Sequence, residues 1–185
     1  MMDMILKGLQ GVSFYPSVQT RAKRLLVDVI LFVLGVAFEV VARNAPEMKK
    51  EIADWEDGRR SALGVLPNGP YITIEKRDGA IHYLGKGLHA PDCALLFKNL
   101  DSGILTFTGI IGSEQAVAEN RIILKGSNSV AMELNRAMAV VEMNLFPMVI
   151  MNHISREKTG LSFSQFITKL RVYAGLVPAI VRHLF

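Results

Sequence analysis

Residues 114–136, EQAVAENRIILKGSNSVAMELNR, decide how this chain folds, because they read as a short helix, a strand, a glycine corner and a second helix in succession. Arg121-Ile122-Ile123-Leu124-Lys125 is a β-branched apolar run between polar residues, the composition of a buried strand. Gly126 supplies the corner, and Ser127, Asn128 and Ser129 each offer an oxygen to cap a helix N-terminus. Val130, Leu134, Ala137, Met138, Val141 and Leu145 then recur at three- and four-residue intervals, so they form one stripe that another layer must cover. This helix is predicted over about residues 128–146, stopping at Pro147. The unit is a helix laid back onto a strand.

Upstream of it the period is that of strands. Tyr71 to Arg77 alternates Ile72 and Ile74 with Thr73 and Glu75, Asp78-Gly79 is a two-residue hairpin turn, and Ile81 and Tyr83 return in phase. Cys93 to Lys98 is a third strand, apolar on both faces as expected of one covered on each side. Asn99 to Gly112 stays open between strand, favoured by its threonines and isoleucines, and helix, favoured by the spacing of Ile104, Phe107 and Ile111.

Pro67, Gly69 and Pro70 mark an internal boundary, with a helical extension expected over 1–66 and a second unit over 67–185. Within the extension, Leu25 to Val41 is an apolar stretch interrupted by Asp28 and Glu39. The charge-free run Val29 to Phe38 falls short of the roughly 18 apolar residues of a spanning helix. A core helix or one that leans on a membrane is expected instead. Asn44-Ala45-Pro46-Glu47 opens another helix, with Met48, Ile52, Trp55 and Leu63 on one face and a weak point at Gly58. At the other end, Ser162-x-x-Gln165 is a capping box, and Phe163, Phe166, Ile167, Leu170 and Tyr173 form an apolar stripe.

With 185 residues, half of them hydrophobic and 21% charged, the chain buries a full core and has apolar residues to spare. The net charge of +4 permits contact with anionic lipid. No array of arginines with interleaved aromatics suggests nucleic acid, and none is expected as a partner. Cys93 is the one cysteine, which excludes an intramolecular disulfide and suits a reducing, cytoplasmic setting.

Gly85-Lys86-Gly87-Leu88-His89-Ala90 fits a relaxed dinucleotide-binding pattern, but Pro91-Asp92 follows it into a strand where that chemistry needs a helix N-terminus. His89 with Cys93 makes at most two metal ligands, and no nucleophile elbow is present. Neither metal nor cofactor is expected, and the chain does not read as an enzyme, although an acyl-handling enzyme with His82 or His89 as base remains a third reading.

From Tyr71 to about Met138 the chain resembles the sterol-carrier-protein-2 family of lipid-binding domains. YITIEKRDGAIHYLGKG, PDCALLF, TGIIGSEQAVAENRI and IILKGSNSVAMEL carry the resemblance. It implies an α+β fold, with a five-stranded, mostly antiparallel sheet, helices over one face and an apolar tunnel between the layers. It also makes part of Asp101 to Gly109 helical, and it supplies no catalytic residues. The tunnel would be lined by Leu95, Phe97, Ile104, Phe107, Ile111, Ile122, Leu124, Met132 and Met138. Phe163, Phe166 and Leu170 would form its lid. The expected function is carriage of a fatty acid, phospholipid or isoprenoid lipid. The alternative is a non-catalytic accessory protein that presents a hydrophobic intermediate to a partner enzyme. Peripheral contact with the inner membrane face through Arg21 to Arg24 and Val29 to Phe38, and a homodimer through the helical N-terminus, accompany these readings.

Overall fold

The computed structural model describes residues 16–145 and 163–184. Helix α1, Pro16–Asn44, opens on a proline, tolerated there because the first turn has no intrahelical partner for its missing N–H. It ends because Ala45, preceding Pro46, is pushed into extended backbone (φ −98°, ψ 120°). Helix α2, Pro46–Glu51, is one short piece, and the helix expected to run on to Leu63 is not formed. Gly58, at φ 87°, turns the chain, and Arg60–Val65 becomes strand β1. Met48, Ile52, Trp55 and Leu63 are all buried, as their spacing suggested, but they come from a helix, a turn and a strand.

The sheet is completed by β2 (Tyr71–Arg77), β3 (Ala80–Lys86), β4 (Cys93–Phe97) and β5 (Ile122–Gly126), in the order β3-β2-β1-β4-β5. The pairs β1·β2, β2·β3 and β4·β5 are antiparallel, and β1·β4 is parallel. This is the mostly antiparallel five-stranded sheet expected. Asp78 and Gly79 both take positive φ (53° and 71°), the backbone that a two-residue turn needs if its twist is to match the strands. β1 lies at the centre of the sheet.

Helix α3, Leu100–Phe107, resolves the ambiguous segment, with the Asn99 side chain accepting from the Ser102 N–H at 2.8 Å. Threonine's strand preference loses there to a capped amphipathic turn whose Ile104 and Phe107 reach the core. Helix α4, Ser113–Ala118, β5 and helix α5, Asn128–Leu145, reproduce the plan read from residues 114–136. Gly126 makes the corner at φ 99°, and a Cβ there would lie 2.2 Å from the Asp92 carbonyl oxygen. β5 is an edge strand with Ile123 partly exposed, so the expectation that it is buried is corrected. Helix α6, Phe163–Leu184, completes the described chain and carries Pro178 within it.

One face of the sheet takes the helices. Leu63, Val65, Ile72, Ile74, Ile81, Tyr83, Cys93, Leu95 and Phe97 point to it and share a core with Leu31, Phe38, Leu134 and Met138. Ala62, Ala94 and Leu96 form a small cluster on the opposite face, against Leu66 and Tyr71. From Leu34 to Ala42 every residue of α1 is buried. α1 is long and apolar enough to cross a membrane by composition, and this chain uses that part of it as a core helix. Its close seat on the sheet depends on Gly35, where a Cβ would lie 2.6 Å from the Tyr83 ring.

Replacing Gly35 by alanine, ordinarily worth up to about 1 kcal/mol to a helix, is expected here to destabilise by roughly 1–3 kcal/mol through overpacking. The midpoint of denaturant unfolding gives the sign.

Candidate functional site

The residues expected to line a tunnel fall into three groups. Leu95, Phe97, Ile104, Phe107 and Met138 lie in one core cluster between sheet and helices, with Ile111, Ile122 and Leu124 packed against it. The Phe97 and Phe107 rings meet edge to face, with centroids 4.7 Å apart. Met132 and Leu170 are exposed, on the outer sides of α5 and α6. Phe163 and Phe166 belong to the backbone of α6, and their side chains lie outside the described residues.

α6 lies antiparallel to α1. Gly175 sits against Val40 and Asn44, while His183 reaches the Tyr83 ring, which lies against Gly35. Its inner face is apolar, with Val172 fully buried and Leu176, Ala179 and Ile180 packed on the core. Its outer face is apolar too. Leu170, Tyr173, Val177 and Val181 recur at helical spacing and are exposed, Val177 at 66%. The helix holds Lys169, Arg171, Arg182 and His183 and no acidic residue. Leu25, Leu26 and Val29, exposed on α1, follow the three cations Arg21, Lys23 and Arg24. They are the large apolar residues of α1 that the fold leaves exposed.

One buried carboxylate fastens α6 in place. Glu39, on α1, accepts from Arg43 Nη2 at 2.6 Å, from His183 Nε2 at 3.1 Å, from Arg182 Nη2 and from the Tyr83 N–H at 3.4 Å. Burial raises its pKa, but hydrogen bonds from His183 and Arg182, together with the Arg182 charge, outweigh this and hold the carboxyl below its ordinary value. Midway along α6, Tyr173 Oη donates to the Leu145 carbonyl at 2.8 Å, so the helix is tied to α5 as well.

A second acid is placed differently. Glu142, on α5, leaves its Oε1 buried without a hydrogen-bond partner among the described residues, and burial pushes its pKa up to about 7. Asn135, two turns earlier on the same stripe, also leaves its Oδ1 buried and unpartnered. Neither acid was singled out in the sequence, where Glu39 appeared only as an interruption of an apolar stretch and Glu142 did not enter. Knowing which helix face is covered would have found both.

The candidates for chemistry lie apart from these groups. The Cys93 thiol is buried, and burial raises its pKa against the opposing charge of Arg59, with Asp92 adding to the rise. The exposed His89 places Nε2 at 3.0 Å from the Lys86 carbonyl, and His82 is partly buried on β3. Among the described residues, no three histidine, cysteine or acidic side chains come together as a metal site.

No family model matches the sequence, and no curated protein matches it. Among solved structures, a conserved hypothetical protein of Thermus thermophilus, described as possibly a sterol carrier protein, is similar at 16% identity and TM-score 0.46. The match covers 69% of this chain and 90% of that one. A sterol carrier protein 2 is similar at 16% identity and TM-score 0.45, over 60% of this chain and 93% of its own. A UbiJ-SCP2 ubiquinone synthesis protein is similar at 12% identity and TM-score 0.42, over 63% and 96%. At such identities they pass no ligand or activity to this chain.

The two acids predict opposite pH behaviour. Glu39 has a depressed pKa, so its contribution is present above the ordinary carboxylate value of 4.5 and is lost as pH falls through the folded value. Glu39→Gln should cost about 1–3 kcal/mol near neutrality and raise amide exchange along α6, with the deficit shrinking in acid. Glu142 has a raised pKa, so stability is full below 4.5 and falls as pH rises through about 7. Glu142→Gln should therefore unfold at a higher temperature than the parent at pH 8, by the equivalent of roughly 3 kcal/mol, and at much the same temperature at pH 4.

Proposed function

We propose that this protein binds a long-chain apolar molecule between its sheet and helices and carries it to and from an anionic membrane surface, without acting on it chemically. The observation that carries the reading is α6, a helix apolar on both faces and free of acidic residues. A helix that only closed a core would turn a charged face to water. One that exposes Leu170, Tyr173, Val177 and Val181 while holding Lys169, Arg171 and Arg182 suits the boundary between acyl chains and anionic headgroups. The cations and apolar residues at the start of α1 have the same composition.

On this reading α6 is the movable wall, held shut by Glu39 at its C-terminal end and by Tyr173 at its middle. Displacing it would open the layer that contains Leu95, Phe97, Ile104, Phe107 and Met138. Burial of a chain there is worth about 0.8 kcal/mol per methylene, so a dozen methylenes offset the loss of several side-chain contacts. A cytoplasmic protein in peripheral contact with the inner membrane face is the setting in which anionic lipid and a reducing environment meet.

Protein purified without detergent should release a stoichiometric apolar lipid on solvent extraction. The doubly substituted Val177→Asp, Val181→Asp chain should keep its thermal unfolding temperature, because both sites are exposed, while losing co-sedimentation with vesicles containing phosphatidylglycerol. A ligand-free extract together with no uptake of Nile red would rule the reading out. Retained lipid with unchanged vesicle binding in the variant would instead assign the stripe to a protein partner, the accessory role.

A further inference from the structure

Three buried hydrogen-bond donors without partners stand side by side at one end of the layer between sheet and helices. Trp55 Nε1, Arg59 Nε and Ser61 Oγ are each sealed from solvent and bonded to nothing among the described residues. Trp55 is 4% exposed and Ser61 1%, and the Arg59 side chain is 9% exposed. The backbone puts them together. Gly58 N donates to the Lys76 carbonyl at 2.7 Å and Lys76 N to the Arg59 carbonyl at 2.9 Å, which extends the β1·β2 ladder back to Arg59. Arg59 and Ser61 are therefore two residues apart on one strand, facing the same way. The Arg59 guanidinium lies 4.3 Å from the centre of the Trp55 ring, and Ser61 stands opposite Cys93 in the parallel β1·β4 register.

Both terminal nitrogens of Arg59 are engaged. Nη1 donates to Glu133 Oε2 at 2.5 Å and Nη2 to the Val130 carbonyl at 3.0 Å. What is left over is uniform in kind: an indole N–H and a guanidinium N–H can only donate, and a serine hydroxyl can. Buried donors are nearly always paired, so three orphans in one patch call for an acceptor. The charges around it are already matched, Arg59 with Glu133, Lys76 with Asp57 and Arg60 with Glu75. A full negative charge added there would have no counter-charge, and burying one so is costly. An uncharged oxygen has no such cost.

We propose that Trp55, Arg59 and Ser61 form the head subsite of the carried lipid and take an uncharged carbonyl oxygen, as in an ester or ketone, in preference to an ionised carboxylate. The inference rests on the lipid-carrying reading and adds an orientation to it. With the carbonyl at Ser61, the chain lies along the helix-facing side of β4, past Cys93, Leu95 and Phe97, toward Ile104 and Phe107 of α3. The hydroxyl, the indole and the guanidinium fix one end of the ligand, and the apolar layer takes the rest.

Trp55 is the only tryptophan, so its emission reports directly on the subsite. The full chain, stripped of lipid, is titrated at pH 8 with methyl palmitate, palmitate and hexadecane delivered from cyclodextrin, reading both Trp55 emission and displacement of Nile red. Methyl palmitate should bind about tenfold more tightly than hexadecane, as expected for recovered hydrogen bonds, and more tightly than palmitate, and only the ester should shift the emission. Trp55→Phe, which keeps the ring under Arg59 but removes the N–H, and Ser61→Ala should each weaken the ester about tenfold and leave hexadecane unchanged. Equal binding of ester and hexadecane, or variants that weaken both alike, would mean that water satisfies the donors. The subsite would then fall while lipid carriage stood. Tighter binding of palmitate than of its ester would overturn the choice of an uncharged head. Binding of none of the three, with no Nile red uptake, would remove the carriage reading and this inference with it.

Discussion

The close contact between α1 and the sheet at Gly35 and Tyr83 is the constraint on which the other packing depends. Because the glycine has no Cβ, the helix can lie against the tyrosine ring, and its next turns, Leu34 to Ala42, are enclosed on every side. Val40 then meets α6 at Gly175, and Glu39 reaches Arg182 and His183. A bulkier residue at Gly35 would lift α1 from the sheet and carry α6 with it. One absent methyl group sets the spacing of two layers.

Two kinds of polar group sit inside this apolar arrangement, and they do different things. The Glu39 carboxylate accepts from Arg43, Arg182, His183 and the Tyr83 N–H, which gives α6 a single seat. Trp55, Arg59, Ser61, Asn135 and Glu142 leave atoms unengaged in the interior, at a cost that a domain closed only for stability would have little reason to carry. On the proposed reading, the engaged groups fasten the wall and the unengaged donors inside it hold the polar end of the ligand.

The elements legible in the sequence are those whose signals are local. Asp78-Gly79 sets a hairpin by its own backbone preference, Cys93 to Phe97 is a short apolar run between breakers, and Gly126 separates β5 from α5 because nothing larger fits beside the Asp92 carbonyl. The burial of Leu95, Phe97, Ile104, Phe107 and Met138 in one core was readable because hydrophobicity and period do not depend on the partner. Trp55, Arg59 and Ser61 were not, because the helical spacing of Met48, Ile52, Trp55 and Leu63 hid the strand that brings the donors together.

By itself, then, the sequence determined the hairpin, the third strand, the strand-corner-helix unit and the identity of many buried residues, since each follows from turn chemistry or periodicity within a few residues. Only the tertiary structure decided that Arg60 to Val65 is the central strand, that Leu100 to Phe107 is a helix, and that the apolar run of α1 belongs largely to the core. The physical reason is the same in each case. A strand's stability comes from neighbours that are remote in sequence, a short helix is chosen by what its stripe packs on, and a long apolar helix is a core element or a membrane element according to what surrounds it.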